Sequence, residues 1–226
     1  MGRRNKNRQP DELIYREQSY RKTILPRNEK QKDYINALNE YPVVIASGSP
    51  GSGKTYLAVC HSVNLFEQNK IGRIIVTRPA VATEKLGYLP GNIQQKLDPY
   101  LRPIYDSLYD RWTPEKVDKM LEIGEIEIAP VAFLRGRTLS NAAIIIDEAQ
   151  NTTPEQMKMI LTRFGENVSV IITGDPTQSD ILGENGLVWA SRKLTDCPMI
   201  KVIRFENHEV VRSDLVKEIL THIKDD

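Results

Sequence analysis

Apolar residues in this chain follow two alternating rhythms. Short continuous runs, Val43-Val44-Ile45-Ala46, Arg73-Ile74-Ile75-Val76-Thr77, Ala142 to Ile146, Val168 to Ile172 and Met199 to Phe205, have the length and β-branched content of buried strands. Glu125 to Val131 instead alternates polar and apolar positions, the mark of a half-exposed strand. Between these runs the spacing is helical. Gln31, Tyr34, Ile35 and Leu38 share one side of a helix over Asn28 to Leu38, and a second helix runs from about Gly53 to Gln68. Glu84 to Glu122 reads as mostly helical but broken by Pro90-Gly91, Pro99, Pro103 and Pro114. Pro154 to Phe164 is helical with Thr153 as its cap, and further helices are expected near 186–194 and over Val210 to Ile223. Buried runs alternating with helices predict an α/β fold, a mainly parallel sheet with helices on both faces. Ligands in such sheets bind beyond the carboxyl ends of the strands.

One of those ends carries Gly48-Ser49-Pro50-Gly51-Ser52-Gly53-Lys54-Thr55, which matches G-x-x-x-x-G-K-[ST]. Glycines let the backbone turn tightly, so that successive N–H groups converge on phosphate oxygens. Lys54 then reaches the outer phosphates, the Thr55 hydroxyl can join the shell of a Mg²⁺ ion, and the following helix adds its positive end. The alternative, a Gly/Ser turn beside a surface lysine, does not account for the strand before the loop and the helix beginning Tyr56-Leu57-Ala58-Val59 after it. The expected ligand is a nucleoside triphosphate.

Bulk properties narrow the setting. At 226 residues and 40% hydrophobic content the chain suits one domain with a real core. No apolar run reaches membrane-span length, and the N-terminus lacks a signal-peptide centre, so no membrane partner is expected. Cys60 and Cys197 offer no disulfide framework, which points to a reducing cytoplasm, whether of a bacterium or of the host of a phage. Net charge is +1 and predicts no partner. Locally, residues 1–25 are polar, with Arg3, Arg4, Lys6 and Arg8 near the start. Such an arm is either solvated and disordered or laid along nucleic-acid phosphates. The main domain is expected over 26–226.

Ile144-Ile145-Ile146-Asp147-Glu148-Ala149-Gln150 delivers two carboxylates at the end of a buried run. Asp147 is the natural Mg²⁺ partner and Glu148 the candidate base for an attacking water. A third element, Thr173-Gly174-Asp175-Pro176-Thr177-Gln178, also follows an apolar strand. Spacing alone favours a simple Gly-Asp-Pro turn there, with a γ-phosphate contact from Gln178 as the other reading.

These stretches, together with Thr77-Arg78-Pro79-Ala80-Val81, Glu84-Lys85-Leu86-Gly87-Tyr88-Leu89-Pro90-Gly91, Phe133 to Leu139 and Asp147 to Thr153, resemble the PhoH family of cytoplasmic ATPases. The core of that family is similar to the first RecA-like domain of superfamily 1 helicases, and the resemblance covers about residues 28–223. It implies an ATP site formed by Gln31, Gly48, Ser49, Pro50, Gly51, Ser52, Gly53, Lys54, Thr55 and Tyr56, with Mg²⁺ on Thr55 and Asp147. It implies Glu148 as water activator and Gln178 as γ-phosphate sensor, which overturns the turn-first reading. Gln31 would read the adenine edge; the bland alternative is an exposed glutamine near a helix start. Two departures stand out. Ser49-Pro50 replaces the usual Pro-Ala at wildcard positions, and Ser213 stands where a histidine is usual.

Superfamily 1 helicases draw a catalytic arginine from a second RecA-like domain, and this chain is too short to hold one. An arginine finger is worth about 10³–10⁵ in rate. A homo-oligomeric ring, a hexamer, would supply it from a neighbouring subunit. Arg163 is the first choice, ahead of Arg135, Arg137 and Arg212, each of which has an ordinary ion-pair role as its alternative. RNA or single-stranded DNA is the expected polymer, contacted by Arg78, Lys85, Arg135 and Arg137. Tyrosines at 88, 100, 105 and 109 would stack bases or, more simply, pack in the core. The leading function is a helicase-like, Mg²⁺-dependent ATPase motor. A slow nucleotide-gated switch or scaffold is its rival, and a small-molecule kinase lacks any lid signature.

Overall fold

Alternating runs become alternating layers. A computed structural model describes residues 25–79, 93–206 and 209. Its elements in chain order are α1 (Glu29–Glu40), β1 (Val43–Gly48), α2 (Lys54–Glu67), β2 (Arg73–Arg78), α3 (Ile93–Tyr109), α4 (Pro114–Glu122), β3 (Ile126–Pro130), β4 (Ala142–Ile146), α5 (Pro154–Leu161), β5 (Val168–Gly174), α6 (Gly186–Lys193) and β6 (Ile200–Phe205). The strands form one sheet in the order β3-β2-β4-β5-β1-β6, and every pairing is parallel. Each crossover therefore needs a helix or long connection, which explains why strand and helix patterns alternate along the chain.

Successive strand residues point to opposite faces, so a continuous apolar run feeds two cores. Ala143 and Ile145 join Val44, Ala46, Ile74 and Val76 under α1 to α4, where Tyr34, Leu57, Val63, Ile104 and Leu108 pack. Ile144 and Ile146 join Ile45, Ile75, Val170 and Ile172 on the other face, covered by Met157, Ile160, Leu187 and Ala190 of α5 and α6. All five residues of β4 are fully buried.

Two expectations change at element boundaries. Helix α3 runs unbroken through Pro99 and Pro103. Its buried residues Leu101, Ile104 and Leu108 outweigh the missing N–H donors, a case of packing overriding local propensity. Helix α5 begins at the Thr153 capping box as expected but stops at Leu161, not Phe164. The backbone of the next residues is drawn beside the sheet: Leu139 N donates to the Arg163 carbonyl, and Gly165 N to the Leu139 carbonyl. Residues 1–24 of the basic arm, Lys85, Tyr88, the Pro90-Gly91 break, the final helix and Arg212 lie outside the described residues.

Register places the chemistry. Ser47 pairs with Gly174, Ala46 with Thr173, Ile146 with Ile172, and Thr77 with Ile146. The carboxyl ends of β1, β2, β4 and β5 thus finish at one level, and the loops that follow them face one cleft.

Candidate nucleotide site

At the end of β1 the chain turns through Gly48, Gly51 and Gly53, all with positive φ. Gly48 shows why this cannot be another residue. A Cβ there would sit 2.1 Å from the Phe205 carbonyl oxygen of the neighbouring strand. The loop closes on itself through Ser52, whose hydroxyl donates to the Ser49 carbonyl at 3.0 Å. Lys54, in the first turn of α2, curls back over the loop. Its Nζ donates to the carbonyls of Gly48 (2.7 Å) and Ser49 (2.8 Å) and to Ser52 Oγ (2.9 Å). Burial pulls the Lys54 ammonium below the ordinary lysine value, an effect opposed by the carboxylates of Asp175, Glu148 and Asp147.

Gln31 supports this loop from α1. Its amide nitrogen donates to the Ser52 carbonyl at 2.9 Å, and its amide oxygen accepts from Arg27 N at 2.8 Å. It is buried, not exposed as a glutamine near a helix start would ordinarily be, and it lies against Gly53. Tyr56 lines the cleft near the start of α2, and burial pushes its phenol up to about 12.

Strand β4 delivers the acids. The Asp147 Oδ1 atom accepts from Thr55 Oγ1 and from Thr173 Oγ1, each at 2.7 Å. Its Oδ2 lies 2.9 Å from Arg78 Nε, close enough for strong charge attraction but off the angle of an aligned hydrogen bond. Glu148 then adopts a left-handed conformation (φ 54°, ψ 39°), rare for a residue with a Cβ. That turn sets its carboxylate beside Asp147. One oxygen accepts from Arg78 Nη2 at 2.9 Å, the other from Gln150 Nε2 at 2.6 Å. Gln150 is itself buried and accepts from Asp175 N at 3.1 Å through its amide oxygen.

After β5 the backbone makes the Asp-Pro turn that composition favours. Asp175 accepts from Thr177 N (2.9 Å) and Thr177 Oγ1 (2.7 Å), and a short 3₁₀ turn spans Pro176–Gln178. The turn reading thus holds, and Gln178 is among the residues that line the cleft. The cleft has a volume of about 410 Å³. It brings together the loop residues Pro50, Gly51, Gly53, Lys54 and Thr55 with Asp147, Glu148, Gln178 and Arg78.

The arginines disperse. Arg78 is inside the cleft on the two acids. Arg137 Nη2 donates to Glu127 Oε2 at 2.7 Å, in a two-pronged pair that holds the Glu127 carboxyl below its usual range. Arg135 is exposed. Arg163 sits at the amino ends of β4 and β5, the opposite edge of the sheet from Asp147, with its Nε buried and unbonded. Sequence reasoning missed Thr173 and Gln150. Both carried a signal, since a polar residue inside or next to a buried apolar run must find a partner.

The donors suit Mg²⁺. It takes one or two protein oxygens and completes its octahedron with water and phosphate. Thr55 and Asp147 supply those oxygens, and Asp147 Oδ2 is a buried oxygen without an aligned partner. Among the described residues no group of three or more His, Cys, Asp or Glu side chains forms a metal cage.

The resemblance to known proteins spans most of the chain. The family model of the PhoH-like proteins matches residues 23–224. The chain belongs to the PhoH family. The PhoH-like protein of Mycobacterium tuberculosis is 48% identical over 202 residues, covering 88% of this chain and 57% of that protein. Protein PhoH of Escherichia coli is 44% identical over 202 residues, covering 87% and 57%. This PhoH-family chain thus spans little more than half the length of these relatives. Among solved structures, the large terminase of a thermophilic bacteriophage superposes with a TM-score of 0.52 at 12% identity, over 89% of this chain and 51% of that one. What the two share is the fold, a parallel sheet covered by helices on both faces.

Proposed function

We propose that this chain binds ATP with Mg²⁺ in the cleft, hydrolyses it, and uses the cycle as a helicase-like oligomeric motor on RNA or single-stranded DNA. One observation carries the nucleotide reading: three loops far apart in sequence place Lys54, Thr55, Asp147, Glu148 and Gln178 around one cleft at the strand ends. Lys54 already sits at the mouth of the loop, bonded to neutral oxygens that a phosphate would replace with a stronger, charged acceptor. The helix α2 begins there, so its N-terminal N–H groups favour the same anion. Thr55 and Asp147 would hold Mg²⁺, which supplies charge neutralisation at the phosphates when bound. Glu148 would take a proton from water, and Gln178 on the rim would position that water or report on the γ-phosphate.

The oligomeric step rests on where the described arginines lie. Arg78 lines the cleft and, without nucleotide, is paired with both acids. Arg163 lies at the far end of the sheet from its own cleft, out of reach of its own nucleotide and open to the role of acting on a neighbour's. Among the described residues no helix is long and apolar enough to cross a membrane.

A slower role, a nucleotide-gated switch or scaffold, draws support from Glu148, both of whose oxygens are held by side chains. Steady-state ATP hydrolysis over a range of protein concentrations separates the two, with and without single-stranded RNA and DNA. Turnover that rises with concentration and with polymer is expected of the motor. Tight binding of ATP with turnover indifferent to both would leave the switch.

A further inference from the structure

We propose that Arg78 is a built-in counter-ion of the metal site, which closes it to divalent cations until nucleotide arrives. The inference rests on Asp147 being the metal-holding carboxylate.

Asp147 is 2% exposed at its side chain, and a carboxylate so buried needs a compensating charge. Lys54 does not provide a contact, since its three hydrogen bonds, 2.7 to 2.9 Å long, go to loop carbonyls and a serine hydroxyl. Arg78 does. Its Nε is 2.9 Å from Asp147 Oδ2 and its Nη2 is 2.9 Å from Glu148 Oε1, so one guanidinium spans both acids. The placement is built into the sheet. Arg78 ends β2, and the Asp147 N–H donates to the carbonyl of Thr77, the residue before it, at 2.9 Å.

A divalent ion approaching Asp147 Oδ2 meets a guanidinium already there. Both cations cannot share that face of the carboxylate, so metal and Arg78 compete. The arginine is displaceable, because Nε approaches Oδ2 off-angle and the fork is split between two residues rather than locked on one. A metal ion alone brings two charges to a pair of carboxylates that one guanidinium has already half-neutralised. A metal carried on a triphosphate also gains the loop amides and Lys54, and that added binding can displace the arginine. Metal binding therefore becomes conditional on nucleotide, and the bare protein is spared two adjacent unpaired carboxylates.

Mn²⁺ binding to the full chain, followed by the loss of the free-ion spin-resonance signal, tests this without reference to turnover. Without nucleotide, Arg78→Ala is expected to bind Mn²⁺ about tenfold or more tightly than the unaltered chain, within the range of coupling between two sites. Arg78→Ala with Asp147→Asn should lose that gain. Arg78→Lys, which keeps a charge but cannot span both acids, should fall between and serves if the alanine variant folds poorly. Equal Mn²⁺ binding by Arg78→Ala, Arg78→Lys and the unaltered chain would overturn the counter-ion role. In that case retention of ATP together with Mn²⁺ on the protein side of an equilibrium dialysis, across which the free Mn²⁺–ATP complex equilibrates, would still uphold the nucleotide reading. Absence of such retention in every protein would overturn the nucleotide reading itself, and the counter-ion with it.

Discussion

Gly174→Ala is the substitution that most directly tests how the cleft is held together. The new Cβ would lie 2.3 Å from Gln150 Oε1, 2.9 Å from Leu187 Cδ2 and 3.2 Å from Ala149 N. All three neighbours are buried or backbone, and the Gln150 amide oxygen, overlapped most deeply, must move. Moving it breaks the bond from Asp175 N and the 2.6 Å bond to the Glu148 carboxylate. A neutral hydrogen bond contributes about 1 kcal/mol and one to a charged group about 2, less here because the Glu148 side chain is 43% exposed. Overpacking adds about 1 kcal/mol or more. The expected loss is about 3 kcal/mol, which for a chain of this size lowers Tm by about 6–12 °C. Thermal unfolding measures it, and a double-mutant cycle identifies the cause. In a Gln150→Ala background the clash partner is gone, so the Gly174→Ala penalty should shrink to the Leu187 and Ala149 contacts. Hydrolysis should fall with Gly174→Ala because Glu148 loses one of its two anchors. An unchanged Tm, or a penalty of the same size in both backgrounds, would refute the claim that Gln150 ties β5 to the candidate base.

Glu148→Gln keeps the size of the side chain but removes its basicity, so turnover should drop about 10²–10⁴-fold while ATP binding persists. Turnover within a few-fold of the unaltered chain would take the base role from Glu148. His61 is buried with its Nε2 unbonded, and burial, reinforced by Lys70, lowers it to about 4. Since the unfolded imidazole binds its proton near pH ~6.5, stability is intact above that value. It is lost as pH falls from about 6.5 to about 4, by up to about 3 kcal/mol. Urea titrations across that window check this, and His61→Leu should flatten the slope. Arg137→Ala should cost at most about 1 kcal/mol, because both partners of its pair with Glu127 are about a third exposed. A structural Arg137 leaves ATPase activity unaltered; a large loss in assembled protein would return it to the candidates for action on a neighbour's nucleotide.

The legible parts of this protein were the local ones. The phosphate loop could be read from eight consecutive residues because its demands, glycine φ angles and a lysine at the start of a helix, are met within one turn of chain. Asp147 and Glu148 were legible for a similar reason: an apolar run five residues long leaves its next two residues at a strand end. Parallel topology followed from strand and helix rhythms alone. The Thr153 cap could be predicted, whereas the end of α5 could not, since Leu139 supplies the pairing that ends it from 24 residues upstream of Arg163. The prolines of α3 misled in the same way, their local cost being outweighed by burial that only the surrounding core provides.

Which charges meet was decided by the sheet. Arg78 stands 69 residues before Asp147, and as the last residue of β2 it reads as a surface contact for a polymer until the β2–β4 register sets it on both acids. Thr173 and Gln150 are ordinary polar residues until the packing of β5 against β4 brings each to its partner. Side-chain hydrogen bonds and ion pairs act over about 3 Å and carry no periodicity along the chain, so no pattern of residues announces them. Sequence determined which backbone segments form and where each presents its ends. Tertiary structure alone decided which of those ends share a charge, because distance between strands is a property of register and not of order.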